Sequence, residues 1–226
     1  MNDIPDSDAD GDLDALVRRV DPDRWLSSRF IADAHARADV VAIYAFDHEL
    51  ARAPKVASNA LLGEIRLTWW AEVLGEIFEG RPVRRHPTAQ ALAHAVHHWS
   101  LPRPPLEAMV EARFRELDPA PMTDAESLAW AMGSAGSAAV LAAAALDPAG
   151  EAELAAKAGA LWALAVRGRP TAALRAEARK DARRLSVAAF PAVAHGALAS
   201  AHRGGRTPSE VEKRWRLTWA VATGRI

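Results

Sequence analysis

The sequence predicts an all-α protein, and three observations support that fold class. Apolar residues recur at steps of three and four along most of the chain, which is the period of a helix with one buried face. No stretch alternates between polar and apolar residues with the period of two that a half-buried strand requires. The 226 residues include 52 alanines, and alanine is the best helix former. A single domain of this length can bury a sizeable core.

The chain predicts one domain preceded by a short acidic leader. Residues 1–11 carry four aspartates and few apolar side chains, so we predict a disordered leader there and a single domain over residues 12–226. Asp21-Pro22 opens a first helical segment, since proline is favoured in the first turn of a helix. The periodicity predicts further helices, roughly ten in all, over residues 35–52, 58–79, 87–99, 104–117, 123–146, 151–167, 170–185, 188–202 and 208–223.

Local signals set the ends of the predicted helices. Pro54 is expected to stop the helix over residues 35–52. Thr123 and Glu126 have the spacing of a capping box and open the long segment whose residues 127–146 are uncharged. That segment has the length of a membrane span, but its many Ala, Gly and Ser residues give a weak drive into lipid. We therefore predict a buried central helix whose small residues let another helix or a ligand approach closely.

The net charge of −1 conceals a strong asymmetry along the chain. Residues 1–156 carry 14 basic and 25 acidic side chains, whereas residues 157–226 carry 14 basic and 4 acidic ones. A basic final third can attract an anion, an anionic membrane surface or the acidic part of the same chain. Nucleic acid is not an expected partner, because no aromatic–basic interleaving or binding motif accompanies the basic residues. The absence of cysteine excludes disulfides, thiolate metal sites and cysteine nucleophiles.

One predicted helix carries three histidines. His94, His97 and His98 have the i, i+3, i+4 spacing at which two imidazoles can share one metal ion. No carboxylate lies within that helix to complete a ligand set. We therefore interpret these histidines as a polar helix face and predict no metal ligands in the chain.

The most specific signal is carried by two segments, AIYAFDHELARAP and GEIRLTWWAEVL. They are followed by EARFRELD, the Ala/Gly-rich AMGSAGSAA, ALWALAVRGR and the closing WRLTWAVATGRI. In this order, over about residues 21–226, the segments resemble the squalene/phytoene synthase family of isoprenoid synthases. The resemblance implies an isoprenoid-synthase-like helical bundle around a central cavity. It also implies that aspartate-rich motifs hold Mg²⁺, which in turn holds a prenyl diphosphate.

The chain departs from this family where the metal would bind. Counted from the YAF run, the aspartates of the first motif fall on Ala51, Arg52 and Lys55. Counted from Arg167, those of the second motif fall on Gly168 and Ala172. Magnesium takes oxygen ligands, usually carboxylates. We therefore expect no cofactor, with Mg²⁺ required only if other carboxylates have replaced the lost ones.

The first two segments are similar to one branch of the family, which is associated with the assembly of respiratory complex I and has degenerate aspartate motifs. This resemblance implies a non-catalytic pseudoenzyme that lies peripherally at a membrane and acts on a partner protein. Because the N-terminus has no apolar signal region, we expect a cytoplasmic location, at the inner face of the membrane where it contacts lipid. Glu49 is a ligand-binding candidate and the carboxylate most worth mutating, since the branch pattern retains an acid there.

The sequence also offers candidates for the residues that would bind a ligand. If the cavity binds a prenyl group or an anionic lipid, we expect Arg66 and Arg167 to face the anionic head. The apolar tail would then face the aromatic side chains of Tyr44, Phe46 and Trp70. The alternative for these three residues is that they simply pack in the core. The alternative function is an active prenyltransferase that condenses isoprenoid diphosphates with relocated acids. The candidates for those acids are Asp47, Glu49, Glu64, Glu72 and Glu76.

Overall fold

The computed structural model describes residues 12–56, 60–202 and 206–226, and within these ranges it contains helices and no strands. The predicted all-α fold class is confirmed. The predicted leader over residues 1–11 lies outside the described residues. The described helices are α1 (Leu13–Val20), α2 (Pro22–Ser28), α3 (Ala34–Val56), α4 (Ala60–Phe78), α5 (Pro87–Trp99), α6 (Arg103–Phe114), α7 (Asp124–Ala131), α8 (Ser137–Leu146), α9 (Ala156–Val166), α10 (Ala172–Ala182) and α11 (Glu210–Thr223).

Helix α3 is the central element of the fold. It packs against α1, α4, α5, α6 and α8. Its side chains Ile43, Tyr44, Phe46 and Leu50 are fully buried, which accounts for the apolar run in this part of the sequence. The helix continues through Pro54, so the predicted stop before that residue was wrong. A proline in the last turn removes only one backbone hydrogen bond, and this long, well-packed helix tolerates the loss.

The long uncharged segment forms α7 and α8, joined by one π-helical turn over Met132–Gly136. The predicted capping box is present: Thr123 Oγ1 accepts the Glu126 backbone N–H at 3.2 Å, and Glu126 Oε2 accepts the Thr123 N–H at 2.7 Å. Within the described part of the chain, Asp124–Leu146 is the helix long and apolar enough to cross a membrane. Two thirds of its most apolar window is buried inside the fold (67%), as predicted for a central core helix.

The π-helical turn lets α9 approach the backbone of this helix. A Cβ placed on Gly159 of α9 would lie 2.2 Å from the carbonyl oxygen of Ala135, and one on Gly136 would lie 3.0 Å from that of Ala156. Only glycine fits at so close a crossing. The small residues predicted to allow close approach therefore serve helix packing.

The C-terminal part contains the main error in the predicted elements. Residues 188–202 do not form an α-helix; they form two 3₁₀ segments, Phe190–Ala192 and Ala194–Ser200. Pro191 has no N–H to donate into an α-helical ladder, and its ring would clash with the carbonyl four residues earlier, so an α-helix running through it from residue 188 is disfavoured. The second 3₁₀ segment packs against α9, α2 and α11, and it thereby completes one side of the bundle.

Candidate functional site

A cleft of about 400 Å³ opens between the N-terminal helices and the basic C-terminal third. This volume is within the range of small-molecule sites. Its walls come from α2, α3, α6, α7, α9 and the segment that leads into α11. The charged and aromatic side chains that line it include Asp21, Asp23, Arg24, Asp47, His48, Lys55, Arg113, Trp130, Trp162, Arg167, His202, Arg206 and Lys213.

One stripe of α3 faces this cleft. Asp47, Ala51 and Lys55 follow one another at steps of four, which brings them to the same face of a helix, and all three line the cleft. Phe46 is one residue earlier and is therefore turned about a quarter of the way around the helix. Its ring packs in the core against Trp70, with ring centroids 5.3 Å apart. The register of α3 thus separates the cleft from the aromatic core.

Six charged side chains form a continuous ion-pair chain along the cleft. Asp47 lies at its centre: Oδ2 accepts a bond from Arg24 Nη2 at 2.7 Å, and Oδ1 accepts one from Arg113 Nη2 at 2.6 Å. Arg24 also pairs with Asp21. At the other end, Glu116 accepts bonds from Arg113 at 2.6 Å and from Arg167 at 2.9 Å. Acidic and basic groups alternate along this ion-pair chain, so the formal charge of the six side chains together is zero.

Burial and pairing together set the ionisation of this chain. Burial alone would raise the pKa of Asp47, but the charges of Arg113 and Arg24 outweigh it and hold that pKa far below its usual range. Burial also opposes the charge of Arg24, yet Asp21 and Asp47 raise its pKa above the ordinary value. Arg24 is further held between two aromatic rings, 4.9 Å from the centroids of Tyr44 and Trp162. The central groups are thus fixed as ion pairs over the ordinary pH range.

A second cluster closes the other side of the cleft around Asp23. Asp23 Oδ2 accepts bonds from His202 Nε2 at 2.6 Å and Trp162 Nε1 at 3.0 Å, and Oδ1 lies 3.1 Å from Lys213 Nζ. Burial works to raise the pKa of Asp23, but these partners lower it to about 2. This carboxylate, like Asp47, already has cationic or hydrogen-bonding partners on both oxygens.

The comparisons with known proteins bear on this cleft and on the helices that form it. The profile of the squalene/phytoene synthase family matches residues 17–169, which is more than half of the chain and covers the helices α2 to α9. The chain belongs to the squalene/phytoene synthase family. No curated protein sequence matches this family member. The matched region contains the motif positions Ala51, Arg52 and Lys55, and it ends two residues after Arg167.

In this family member the cleft carboxylates Asp23 and Asp47 already have partners on both oxygens. Mg²⁺ requires several oxygen ligands in near-octahedral geometry. Each oxygen of Asp47 already accepts a guanidinium bond, so a metal there would have to displace Arg24 and Arg113 and would be repelled by both. Near the mouth of the cleft, Lys55 and Arg167 are exposed, and Arg167 also bonds to Glu116.

The structure brings only part of the predicted ligand-binding set to the cleft. Arg167 lines it and stacks over Trp130, 3.8 Å from the ring centroid. Arg66 lies on α4, which contributes no lining residue, so the structure does not bring Arg66 to this cleft. Trp70, also on α4, packs in the core against Trp69, Phe46 and His86. For these aromatic side chains the alternative of core packing holds.

The remaining predicted positions are scattered. Tyr44 is fully buried beneath Arg24 and reaches the site only through that side chain. Glu49 pairs with the exposed Arg52 at 3.2 Å. Gly168 adopts a left-handed backbone (φ 66°) just after α9, and Ala172 begins α10; neither lines the cleft. The second motif positions therefore do not meet the first.

Sequence reasoning missed the residues that dominate the site. No role was predicted for Arg24, Arg113, Glu116 or the Asp23 cluster, although Arg113 and Glu116 lie in EARFRELD, one of the segments that carry the family resemblance. A further signal was a charged residue within an otherwise apolar helical face, as at Arg113 beside Met109 and Val110.

Proposed function

We propose that this chain is a non-catalytic member of its family, a pseudoenzyme whose cleft receives an anionic prenyl or lipid head group by charge and without Mg²⁺. One observation carries the proposal: both oxygens of Asp47, the central acid of the cleft, are bound by arginine. The motif positions on the same helix are an alanine and two cations. Ionisation of a diphosphate requires stabilisation of the developing negative charge, which Mg²⁺ supplies when carboxylates hold it.

The alternative, an active prenyltransferase with relocated carboxylates, has less support. Among its candidate acids only Asp47 lines the cleft. Glu72 and Glu76 both pair with Arg84, at 2.5 and 2.7 Å from its Nη2 and Nε. Glu49 pairs with Arg52, and Glu64 is exposed. These acids lie on two helices and do not converge on one point, as a magnesium cage would require.

Binding of inorganic pyrophosphate and farnesyl diphosphate, measured by calorimetry with Mg²⁺ and with a chelator, tests the proposal. We expect binding that is unchanged by the chelator and is weakened at least about tenfold by Lys55→Glu, which reverses a charge at the cleft mouth. Lys180→Glu is the matched control, because Lys180 is an exposed lysine outside the cleft. Release of pyrophosphate from farnesyl diphosphate that depends on Mg²⁺, assayed beside an active family member, would overturn the proposal.

We further propose that the chain lies at an anionic membrane surface through α11 and the groove beside it. Val211, Trp215 and Trp219 follow at steps of four on the exposed face of α11. Arg179, Arg183 and Arg225 line the adjoining groove of about 550 Å³ together with both tryptophans. Exposed tryptophan beside arginine suits the interface between lipid head groups and acyl chains. This supports a peripheral position at the inner, anionic leaflet.

The role in assembly of a respiratory complex rests on the resemblance of AIYAFDHELARAP and GEIRLTWWAEVL to one branch of the family. We propose it as the cellular process in which a non-catalytic, membrane-peripheral member acts on a partner protein. We expect cells without the gene to lose complex I activity. The natural sequence and a Lys180→Glu variant should restore that activity equally. Unchanged complex I in those cells would contradict this assignment.

A further inference from the structure

A second group of potential ligands lies between α3 and α5, outside the cleft. Asp39 of α3 faces His94 and His98 of α5, and one donor atom from each of the three lies within 4.8 Å of the others. His98 Nδ1 is 3.1 Å from Asp39 Oδ2, and His94 Nε2 is 3.8 Å from Asp39 Oδ1. The carboxylate that the histidine helix lacks in sequence is thus supplied by a neighbouring helix.

The carboxylate is fixed before any ion arrives. Asp39 is buried, with its side chain 6% exposed, and its Oδ2 accepts the indole N–H of Trp99 at 2.7 Å. The His98 ring stacks on the same indole, with centroids 4.4 Å apart. Ligating carboxylates in metal sites are commonly held by such outer hydrogen bonds, which orient the ligand and limit its motion.

We propose that Asp39, His94 and His98 bind a divalent transition-metal ion of the zinc type, with water completing the coordination. Imidazole and carboxylate donors suit Zn²⁺ and its neighbours, whereas Mg²⁺ and Ca²⁺ prefer all-oxygen sets. Histidines four residues apart on a helix present two nitrogens to one point. Ligands at zinc bond lengths of about 2.0–2.1 Å lie about 3.3 Å apart in a tetrahedron, so the three donors need to close by at most about 1.5 Å. The side chains of His94 and His98 are 69% and 43% exposed, so the fold leaves space for that movement.

A plain polar tie between the two helices is the competing account. The bond of 3.1 Å between His98 and Asp39 would satisfy such a tie by itself. It would leave His94 with only a tilted ring contact to His98, with centroids 5.4 Å apart, because 3.8 Å from Asp39 is too long for a hydrogen bond. The two accounts differ in whether His94 contributes to binding and in whether a metal ion binds and raises the unfolding temperature.

Metal titrations distinguish the two accounts. The full chain is produced without a histidine tag and is titrated with Zn²⁺ and with Co²⁺. We expect one ion per chain, a higher unfolding temperature with Zn²⁺, and a visible Co²⁺ absorption band typical of four-coordinate geometry. His94→Ala and His98→Ala should each weaken binding at least about tenfold. Asp39→Asn should do the same, and its unfolding curve without metal reports whether the variant remains folded.

His97→Ala is the matched control for a non-specific histidine patch. His97 lies on the same helix and is exposed, but its Nδ1 faces the Ala93 carbonyl oxygen of its own helix at 2.7 Å. We expect this variant to bind Zn²⁺ as the natural sequence does. Absence of stoichiometric binding, or equal loss in His97→Ala and His94→Ala, overturns the proposal. Neither result would affect the cleft, because none of the three ligands lines it.

Discussion

His195 is a buried imidazole that makes stability depend on pH. Both of its ring nitrogens are buried without a hydrogen-bond partner among the described residues, and its ring meets Trp162 edge-on with centroids 5.3 Å apart. Burial, reinforced by the charge of Arg24, lowers the pKa of His195 to about 3. Below about pH 6.5 the unfolded chain takes up a proton that the folded chain does not. The free energy of unfolding should therefore fall as the pH falls, by up to about 1.4 kcal/mol per pH unit in this window.

We expect His195→Phe to remove this contribution. Between pH 7.5 and 5.5 the natural sequence should lose about 1 kcal/mol more of its unfolding free energy than the variant, as measured by urea denaturation at both pH values. His97→Phe, which changes an exposed histidine, should keep the pH dependence of the natural sequence. A His195→Phe variant with the same loss as the natural sequence would show that His195 does not carry this effect.

Single positions differ in how far the sequence predicts their place. The structure places both Lys55 and Arg167 at the cleft, and the register of α3 puts Lys55 on the same face as Asp47 and Ala51. The place of Arg113 was not predictable, because its burial depends on Asp47, a partner 66 residues earlier on another helix. For Phe46 and Trp70 the sequence leaves a ligand pocket and core packing both open, because large aromatic side chains suit either place equally well.

At the scale of elements, the ion-pair chain ties α2, α3 and α6 together through Asp47. Asp47→Asn would leave Arg24 and Arg113 buried with too little opposing charge, and breaking a buried pair in this way costs about 3–5 kcal/mol. Glu49→Gln is the matched control, since it removes an acid two residues away whose partner Arg52 is exposed. Its cost should stay within about 1 kcal/mol.

Chemical denaturation of both variants at pH 7 provides the measurement. Because Asp47 has a lowered pKa, its contribution is present above about pH 4 and declines only in stronger acid, so pH 7 reports the full effect. Equal costs for the two variants would mean that the ion-pair chain does not hold the helices together.

Nearly every helix was predictable from periodicity and caps. The ion pairs between helices were not predictable, since they depend on partners that only the tertiary fold brings together.

At the scale of the whole molecule, the charge asymmetry along the sequence is partly matched inside the fold. The acidic first part and the basic last third meet at the cleft, where Asp23 binds Lys213 and His202 and Glu116 binds Arg167. Internal charge matching, one of the alternatives open from composition, thus accounts for part of the asymmetry. The groove beside α11 is different, because Arg179, Arg183 and Arg225 line it with exposed tryptophans and with Glu212 as its acid.

The arginines and exposed tryptophans of this groove carry the last prediction, which concerns vesicle binding. We expect the chain to sediment with vesicles that contain phosphatidylserine and to dissociate as NaCl rises from about 50 to 500 mM, because salt screens the attraction of exposed charges. The double variant Trp215→Ala/Trp219→Ala should lower the partition coefficient at least about fivefold, since membrane affinity scales with the apolar area inserted.

The control for that experiment removes apolar area from another exposed helix face. Leu61 and Ile65 are a pair four residues apart on α4, with exposures of 62% and 56% against 69% and 47% for Trp215 and Trp219. If α11 is the membrane face, Leu61→Ala/Ile65→Ala binds vesicles as the natural sequence does. Equal loss in both double variants would mean that any exposed apolar pair suffices, and binding that ignores salt would remove the role of the arginines. Either result would contradict the proposal that α11 and its arginines form the membrane-binding surface.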